Sequence, residues 1–175
     1  MAYSSRLPQR MDEAAFQELY AETAAKLRAY IRRAARETAL ADDIFQETYF
    51  RFLRANVQHL DPRQTKAYLY RTATSLLVDH WRRAKRERLW GMKTFFDERA
   101  PDKKPMGEDT ARLFAQLKPQ EQALLWMAYV EGFDHREIAE ALEFSEKSVR
   151  VLLFRARKKL AGLLTAQGLG PEGAL

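Results

Sequence analysis

Apolar residues recur at three- and four-residue steps along almost the whole chain, and no run alternates apolar and polar with the period of two that marks a strand. The pattern predicts an all-α protein. Over residues 14–36, Phe16, Leu19, Tyr20, Thr23, Leu27, Tyr30, Ile31 and Ala34 share one stripe, as a core-facing helix requires. A second helix is predicted over residues 40–55. The segment "NVQHLDPRQT" then breaks the periodicity, and Pro62 disfavours helix at Asp61. A third helix follows over residues 65–86, so residues 14–86 can form a three-helix bundle.

Periodicity fades over residues 87–109, where prolines, glycines and mixed charge indicate a linker. Its Trp90, Phe95 and Phe96 are expected to pack on a neighbouring surface. A second helical block occupies residues 110–164. Pro119 suits a first helical turn, and Gly132 suits the residue just past that helix's end. Asp134 and Glu137 form a capping box before "HREIAEAL", and Ser145 caps the longer "EKSVRVLLFRARKKLAGLL". Residues 165–175 read as a frayed tail.

A short helix, a tight connection and a long basic helix make a helix-turn-helix pattern. Ala139 is small where the two helices must approach, and Ile138, Leu142, Val149 and Leu152 fall at the interlocking positions. Glu143 stands at the turn site usually held by glycine. Keeping a positive φ there costs about 1 kcal/mol.

Charge adds direction to this outline. The chain carries 30 Lys+Arg against 24 Asp+Glu, a formal net charge of +6. Its pI near 9.6 makes nucleic acid or an acidic surface the first partner to consider. From Lys147 to Lys159 there are six basic residues and no acid, which suits phosphate contacts and counterion release. On that helix Ser145, Glu146, Lys147, Ser148, Arg150, Val151 and Phe154 stay off the interlocking face, where bases and phosphates are met.

The third helix of the first block is also basic. Between Arg63 and Arg88 lie eight basic residues and two acids, Asp79 and Glu87. Tyr68, Arg71 or Thr72, Ser75, Asp79 and Arg82 share a face suited to unstacked bases and their backbone. Leu69, Ala73, Leu76 and His80 form another face. An ordinary amphipathic helix with a basic end explains the same pattern. His80 reads as a core or phosphate-contacting residue rather than a metal ligand, and Trp81 as core.

The absence of cysteine excludes disulfides and thiolate metal sites. No apolar run reaches the roughly 18 residues of a membrane helix, and the N-terminus lacks a hydrophobic signal core. The expectation is a cytoplasmic protein, not membrane-embedded, with no cofactor and no metal.

The segment "DDIFQETYFRFLR" runs against the basic character. On a helix Phe45, Thr48, Tyr49 and Phe52 line one side; Asp43, Gln46, Glu47, Phe50 and Arg54 line the other. The outer stripe can be a solvated face favoured by the helix dipole. It can also be the start of a metal-dependent nuclease site using Asp42, Asp43 and Glu47, although no further acid or histidine cluster completes one.

Four stretches in order, "DDIFQETYFRFLR", "AYLYRTATSLLVDHWRR", "EGFDHREIAEALEFS" and "SVRVLLFRARKKL", together resemble a bacterial RNA polymerase sigma factor of the extracytoplasmic-function group. The likeness covers residues 16–164. It implies an N-terminal region 2-like bundle and a C-terminal region 4-like helix-turn-helix domain, joined by a flexible linker that threads toward the RNA exit path. It also implies a promoter-specificity subunit without chemistry of its own. The partners implied are core polymerase (the clamp coiled coil of the largest subunit, and the flap), promoter DNA and an anti-sigma factor.

The implied polymerase contacts are Asp43, Gln46, Glu47, Phe50 and Arg54. Those to the opened −10 element are Asn56, Lys66, Tyr68, Arg71, Thr72 and Ser75, then Asp79, Arg82, Arg83, Lys85 and Arg86. The loop over residues 56–64 is expected to help hold a flipped-out base. The −35 element is met by His135 and Arg136, by Ser145, Glu146, Lys147 and Ser148, and by Arg150, Val151, Phe154 and Arg155. The family pattern has Trp where Tyr68 stands, Asn where Ser75 stands, Gly where Glu143 stands, and an often polar or basic residue where Leu152 stands. The promoter sequence therefore does not follow from the resemblance. A stand-alone helix-turn-helix regulator is the competing reading, though no βαβ receiver pattern precedes the second block.

Overall fold

The computed structural model describes residues 11–55, 57, 60–89 and 108–169, and those residues form no strand. Its helices are α1 (Glu13–Ala35), α2 (Thr38–Arg54), α3 (Pro62–Leu89), α4 (Glu108–Ala115), α5 (Pro119–Tyr129), α6 (His135–Leu142) and α7 (Glu146–Ala166).

Local chemistry sets the helix ends. Asp12 caps α1 by accepting from the Ala15 N–H at 2.7 Å. The α1 chain turns out at Arg36, which takes a left-handed φ of 65°. Its guanidinium earns that strain by tying elements together: Nε and Nη2 donate to the Ala115 carbonyl at the end of α4, and the group lies 5.0 Å over the Trp81 ring of α3. The third helix starts earlier than the residue-65 start expected from periodicity. Asp61 accepts from the Gln64 N–H at 2.8 Å, while Gln64 accepts from the Asp61 N–H at 3.1 Å. This capping box places Pro62 at the first helical position, where a missing N–H does no harm.

Helices α1, α2 and α3 pack around Leu27, Tyr30 and Ile31 of α1, Ile44, Phe45 and Phe52 of α2, and Leu69, Ala73 and Leu77 of α3. Leu77, not Leu76 or His80, completes the buried row of α3; His80 and Trp81 are only partly buried. Each fully buried large side chain contributes about 1.5–3 kcal/mol relative to exposure. Two hydroxyl pairs lie inside this bundle. Thr74 gives its proton to the Tyr70 carbonyl, so Tyr30 donates to Thr74 at 3.0 Å. By the same reasoning Tyr49 donates to Thr23 at 2.6 Å, because Thr23 bonds the Leu19 carbonyl. Burial raises the Tyr30 phenol and pushes that of Tyr49 up to about 12.

The second block is built on α7, which packs against α4, α5 and α6. Ile138, Val149 and Met127 are fully buried, with Leu124 and Leu153 beside them. Helix α4 is a separate element that periodicity did not resolve, and Gln122 ties it to α5 by donating to the Phe114 carbonyl at 2.9 Å. Helix α3 extends to Leu89 and α4 begins at Glu108. Trp90, Phe95 and Phe96 lie outside the described residues.

The two blocks touch. Helix α3 packs on α5 and α6, α1 packs on α4 and α5, and their buried side chains form one continuous cluster.

Candidate nucleic-acid and protein interfaces

Helix α2 separates its faces as its sequence pattern predicts. Phe45, Thr48, Tyr49 and Phe52 are buried, while Asp43, Gln46, Phe50 and Arg54 are exposed and Glu47 is partly so. Phe50 is 52 % exposed, and Leu53, missed by the sequence pattern, stands exposed beside it. The result is an apolar spot ringed by acids, an amide and a guanidinium, with Arg54 lying 5.3 Å over the Phe50 ring. Glu47 accepts from Arg51 at 2.7 Å one turn away. Asp42 faces α1 instead, 3.5 Å from Arg28 and 4.0 Å from Arg32. Asp42, Asp43 and Glu47 do not converge, and among the described residues no group of three or more His, Cys, Asp or Glu is placed to hold a metal ion.

On α3, Arg71, Ser75, Asp79, Arg82, Arg83, Lys85 and Arg86 are exposed, and Lys66 and Tyr68 are half-buried. Tyr68 stacks edge-on against Phe52, with ring centroids 5.9 Å apart, and the Arg71 guanidinium lies 5.5 Å over it. Thr72 departs from the expected surface role. It is buried, and its hydroxyl donates to the Tyr68 carbonyl at 2.8 Å. Asn56 lies outside the described residues.

The helix-turn-helix forms with its caps in place. Asp134 accepts from the Glu137 N–H at 2.8 Å and Glu137 from the Asp134 N–H at 2.8 Å. Ser145 accepts from the Ser148 N–H at 3.3 Å. Glu143 takes the left-handed conformation, φ 58° and ψ 39°, so the predicted strain is present. His135, Arg136, Ser145, Glu146, Lys147, Ser148, Arg150, Val151, Phe154 and Arg155 are all exposed. Val151 and Phe154, the latter 57 % exposed, give the N-terminal half of α7 an apolar strip amid its cations. Arg136 donates to Glu140 at 3.1 Å.

Side chains from the two blocks also bond to one another where the blocks meet. The Trp126 indole donates to the Tyr70 hydroxyl at 3.1 Å, and that hydroxyl donates to Glu131 at 3.0 Å. Lys26 stands 3.8 Å from the same carboxylate, whose side chain is 4 % exposed. Burial raises the Tyr70 phenol, and the Glu131 charge adds to it. Arg63 reaches across to Glu137 at 2.8 Å and to the Gly132 carbonyl at 3.2 Å. No local periodicity signals these partners, because each pair joins residues from different blocks.

Two family models match this chain: Sigma-70 region 2 over residues 19–87, then Sigma-70, region 4 over residues 108–160. The chain belongs to the sigma-70 family. Region 2 therefore spans α1 to α3, and region 4 spans α4 to most of α7. The chain is 29% identical over 166 residues to the ECF RNA polymerase sigma factor SigL of Mycobacterium tuberculosis, covering 91% of this chain and 93% of SigL. It is 29% identical over 134 residues to the ECF RNA polymerase sigma factor SigE of Mycolicibacterium smegmatis, covering 71% of this chain but about half, 51%, of that relative. Among solved structures, the sigma factor RpoE of Bartonella quintana, crystallised with the anti-sigma factor NepR, superposes with a TM-score of 0.70. That match covers 86% of this chain and 96% of RpoE at 18% identity, and shows the fold. Among the described residues of this sigma factor, no helix is long and apolar enough to cross a membrane.

Proposed function

We propose that this chain is the dissociable promoter-specificity subunit of a bacterial RNA polymerase. The observation that carries the reading is the order of region 2 and region 4 along one chain. The exposed surfaces of both blocks support it. The polymerase makes the phosphodiester bonds, and this subunit works in the cytoplasm by placing the enzyme on DNA.

In this reading the outer face of α2, with Asp43, Gln46, Glu47, Phe50 and Arg54, docks on the clamp coiled coil of the largest subunit. An apolar centre within a charged rim is the anatomy of a protein contact. The apolar groove bounded by Phe114, Tyr129, Leu160 and Leu164 offers the polymerase flap a second foothold. Arg71, Ser75, Asp79 and Arg82 of α3, with Lys66, Tyr68 and the basic run Arg83, Lys85 and Arg86, face the opened −10 strand. An extruded base costs a few kcal/mol of stacking, so an aromatic such as Tyr68 is needed to hold it. Asn56 belongs to that same proposed site. Thr72 serves it from within, by fixing the helical turn under Tyr68.

The −35 element is read as duplex. His135 and Arg136 of α6 meet the backbone, while Ser145, Glu146, Lys147, Ser148, Arg150, Val151, Phe154 and Arg155 enter the major groove. An anti-sigma factor is a further partner in this reading, since the structurally similar RpoE was crystallised with one, NepR.

Gel filtration with purified bacterial core polymerase, followed by gel shift with and without core, tests the proposal. The chain is expected to co-elute with core and to shift promoter fragments only in its company. Tight duplex binding by the chain alone, with no core association, would instead mark a stand-alone regulator.

A further inference from the structure

The outer face of α7 combines two chemistries that a merely solvated face does not need. Val149 and Leu153 are buried, so Val151, two residues from each, stands on the opposite side of the helix. It is 48 % exposed, and Phe154, one turn further on, is 57 % exposed. Lys147, Arg150, Arg155 and Lys158 are exposed around them, and no acid lies between Lys147 and Lys159. A lone exposed apolar residue needs no explanation. A neighbouring pair at i and i+3 on the outermost face does. The branched valine costs helix propensity there and gains no burial in return.

The surrounding cations define what the pair can pack on. It must be a polyanion that offers a small apolar feature within reach of a helix. Duplex DNA has one such feature in its major groove, the C5 methyl group of thymine. The first turn of α7 contributes little that is apolar: the Ser145 and Ser148 hydroxyl oxygens lie 2.6 Å apart, and Ser145 also caps the Ser148 N–H at 3.3 Å. Those hydroxyls serve the cap. Val151 and Phe154 serve neither cap nor core, and their task lies outside the chain.

We infer that Val151 is a specificity-determining residue that reads a thymine methyl in the −35 duplex, with Phe154 covering the methyl of an adjacent thymine. The cations around the pair anchor the helix electrostatically and carry no sequence information of that kind. This inference rests on the proposed sigma function and deepens it. It names the feature that the helix-turn-helix distinguishes at this position, a methyl group rather than a hydrogen-bonding edge. A T·A pair is preferred there over C·G, because cytosine lacks the methyl and valine leaves the cytosine amino group without a partner.

The test uses holoenzyme assembled from bacterial core polymerase and the full chain. Promoter fragments that give chain-dependent transcripts, with the −35 element placed by mapping their start sites, are rebuilt with deoxyuridine for thymidine in that element. Uracil keeps every hydrogen-bonding edge of thymine and lacks only the methyl. Affinity should fall about fourfold for each methyl that is read. Deoxyuridine in the spacer between the two elements should leave it unchanged. V151S/F154S holoenzyme should bind the thymidine and deoxyuridine forms equally. Both side chains are exposed, so this variant should fold, with circular dichroism as the check. Replacing the sensitive T·A pair by C·G should weaken wild-type binding, and 5-methylcytosine at that position should restore part of the loss.

Equal affinity of wild-type holoenzyme for thymidine and deoxyuridine −35 elements overturns the methyl reading and leaves the sigma function in place. So does a deoxyuridine penalty that V151S/F154S retains in full, since other residues then read the methyls. Should that variant fail to fold, V151T, close in shape to the native side chain, must still shrink the penalty. Absence of any chain-dependent promoter complex with the wild-type chain sinks the sigma reading, and this inference with it.

Discussion

The indole N–H of Trp126 in α5 donates to the hydroxyl of Tyr70 in α3 at 3.1 Å, joining two residues from different blocks. The phenol donates its own O–H to Glu131, so one hydroxyl satisfies a donor and an acceptor where the two blocks meet. A buried polar group that loses its partner incurs its full desolvation penalty. Tyr70→Phe strands the indole N–H and leaves the Glu131 carboxylate only Lys26 at 3.8 Å, and is expected to cost about 1–3 kcal/mol of stability. Thermal melts of the two chains measure this. An unchanged midpoint would mean that the blocks do not share the hydrogen bond in solution.

Alkaline pH should loosen the protein for a related reason. Burial raises the phenols of Tyr30 and Tyr70 and pushes Tyr49 up to about 12, against an ordinary value of 10.0. A folded-state pKa above the unfolded one gives stability that is complete below the unfolded value and is lost as pH climbs toward the folded one. Urea midpoints should therefore hold steady up to about pH 10 and fall above it. Tyr49→Phe should flatten part of that fall. A midpoint that rises between pH 10 and 12 contradicts the buried phenols.

Within the helix-turn-helix, Asp134 caps α6 through the Glu137 N–H at 2.8 Å. Asp134→Ala removes one arm of the capping box and should lower stability by about 1 kcal/mol. The contact between the blocks shifts the size of the effect, since Glu137 also holds Arg63 at 2.8 Å. Denaturant titration reads the loss, and a neutral outcome would show that water caps α6 equally well.

Much of this architecture is legible from the sequence because its signals are local. The face of α2 follows from helical spacing, and the helix-turn-helix follows from Asp134, Glu137 and Ser145 at capping distances. Pro62 marks a boundary, but periodicity does not reveal the reciprocal bonds of Asp61 and Gln64, so α3 starts earlier than spacing predicts. Spacing puts Thr72 on the DNA face, because it cannot tell an exposed hydroxyl from one bonded to the carbonyl four residues back. The contact between the blocks is invisible to such signals. Tyr70 and Trp126 are 56 residues apart, and a buried row on α3 does not announce which of its members faces the other block. Glu131 carries no local sign of burial; only the tertiary packing makes it a buried acceptor.

Docking through α2 makes its own forecast. Asp43 and Glu47 lie on the outer face and contribute nothing to the bundle core, so the D43K/E47K pair should leave helicity intact. Charge reversal at a protein contact weakens association by about tenfold or more when the rim charges are complementary. Fluorescence anisotropy against core polymerase measures that loss, with circular dichroism as the check on folding. Full affinity in the variant would move the polymerase contact off α2.

The account rests most directly on run-off transcription by bacterial core polymerase on pooled genomic fragments, with and without this chain. Discrete transcripts that appear only when the chain is present, and that disappear with D43K/E47K, are the predicted result. Identical transcripts with and without the chain would contradict its assignment as a promoter-specificity subunit.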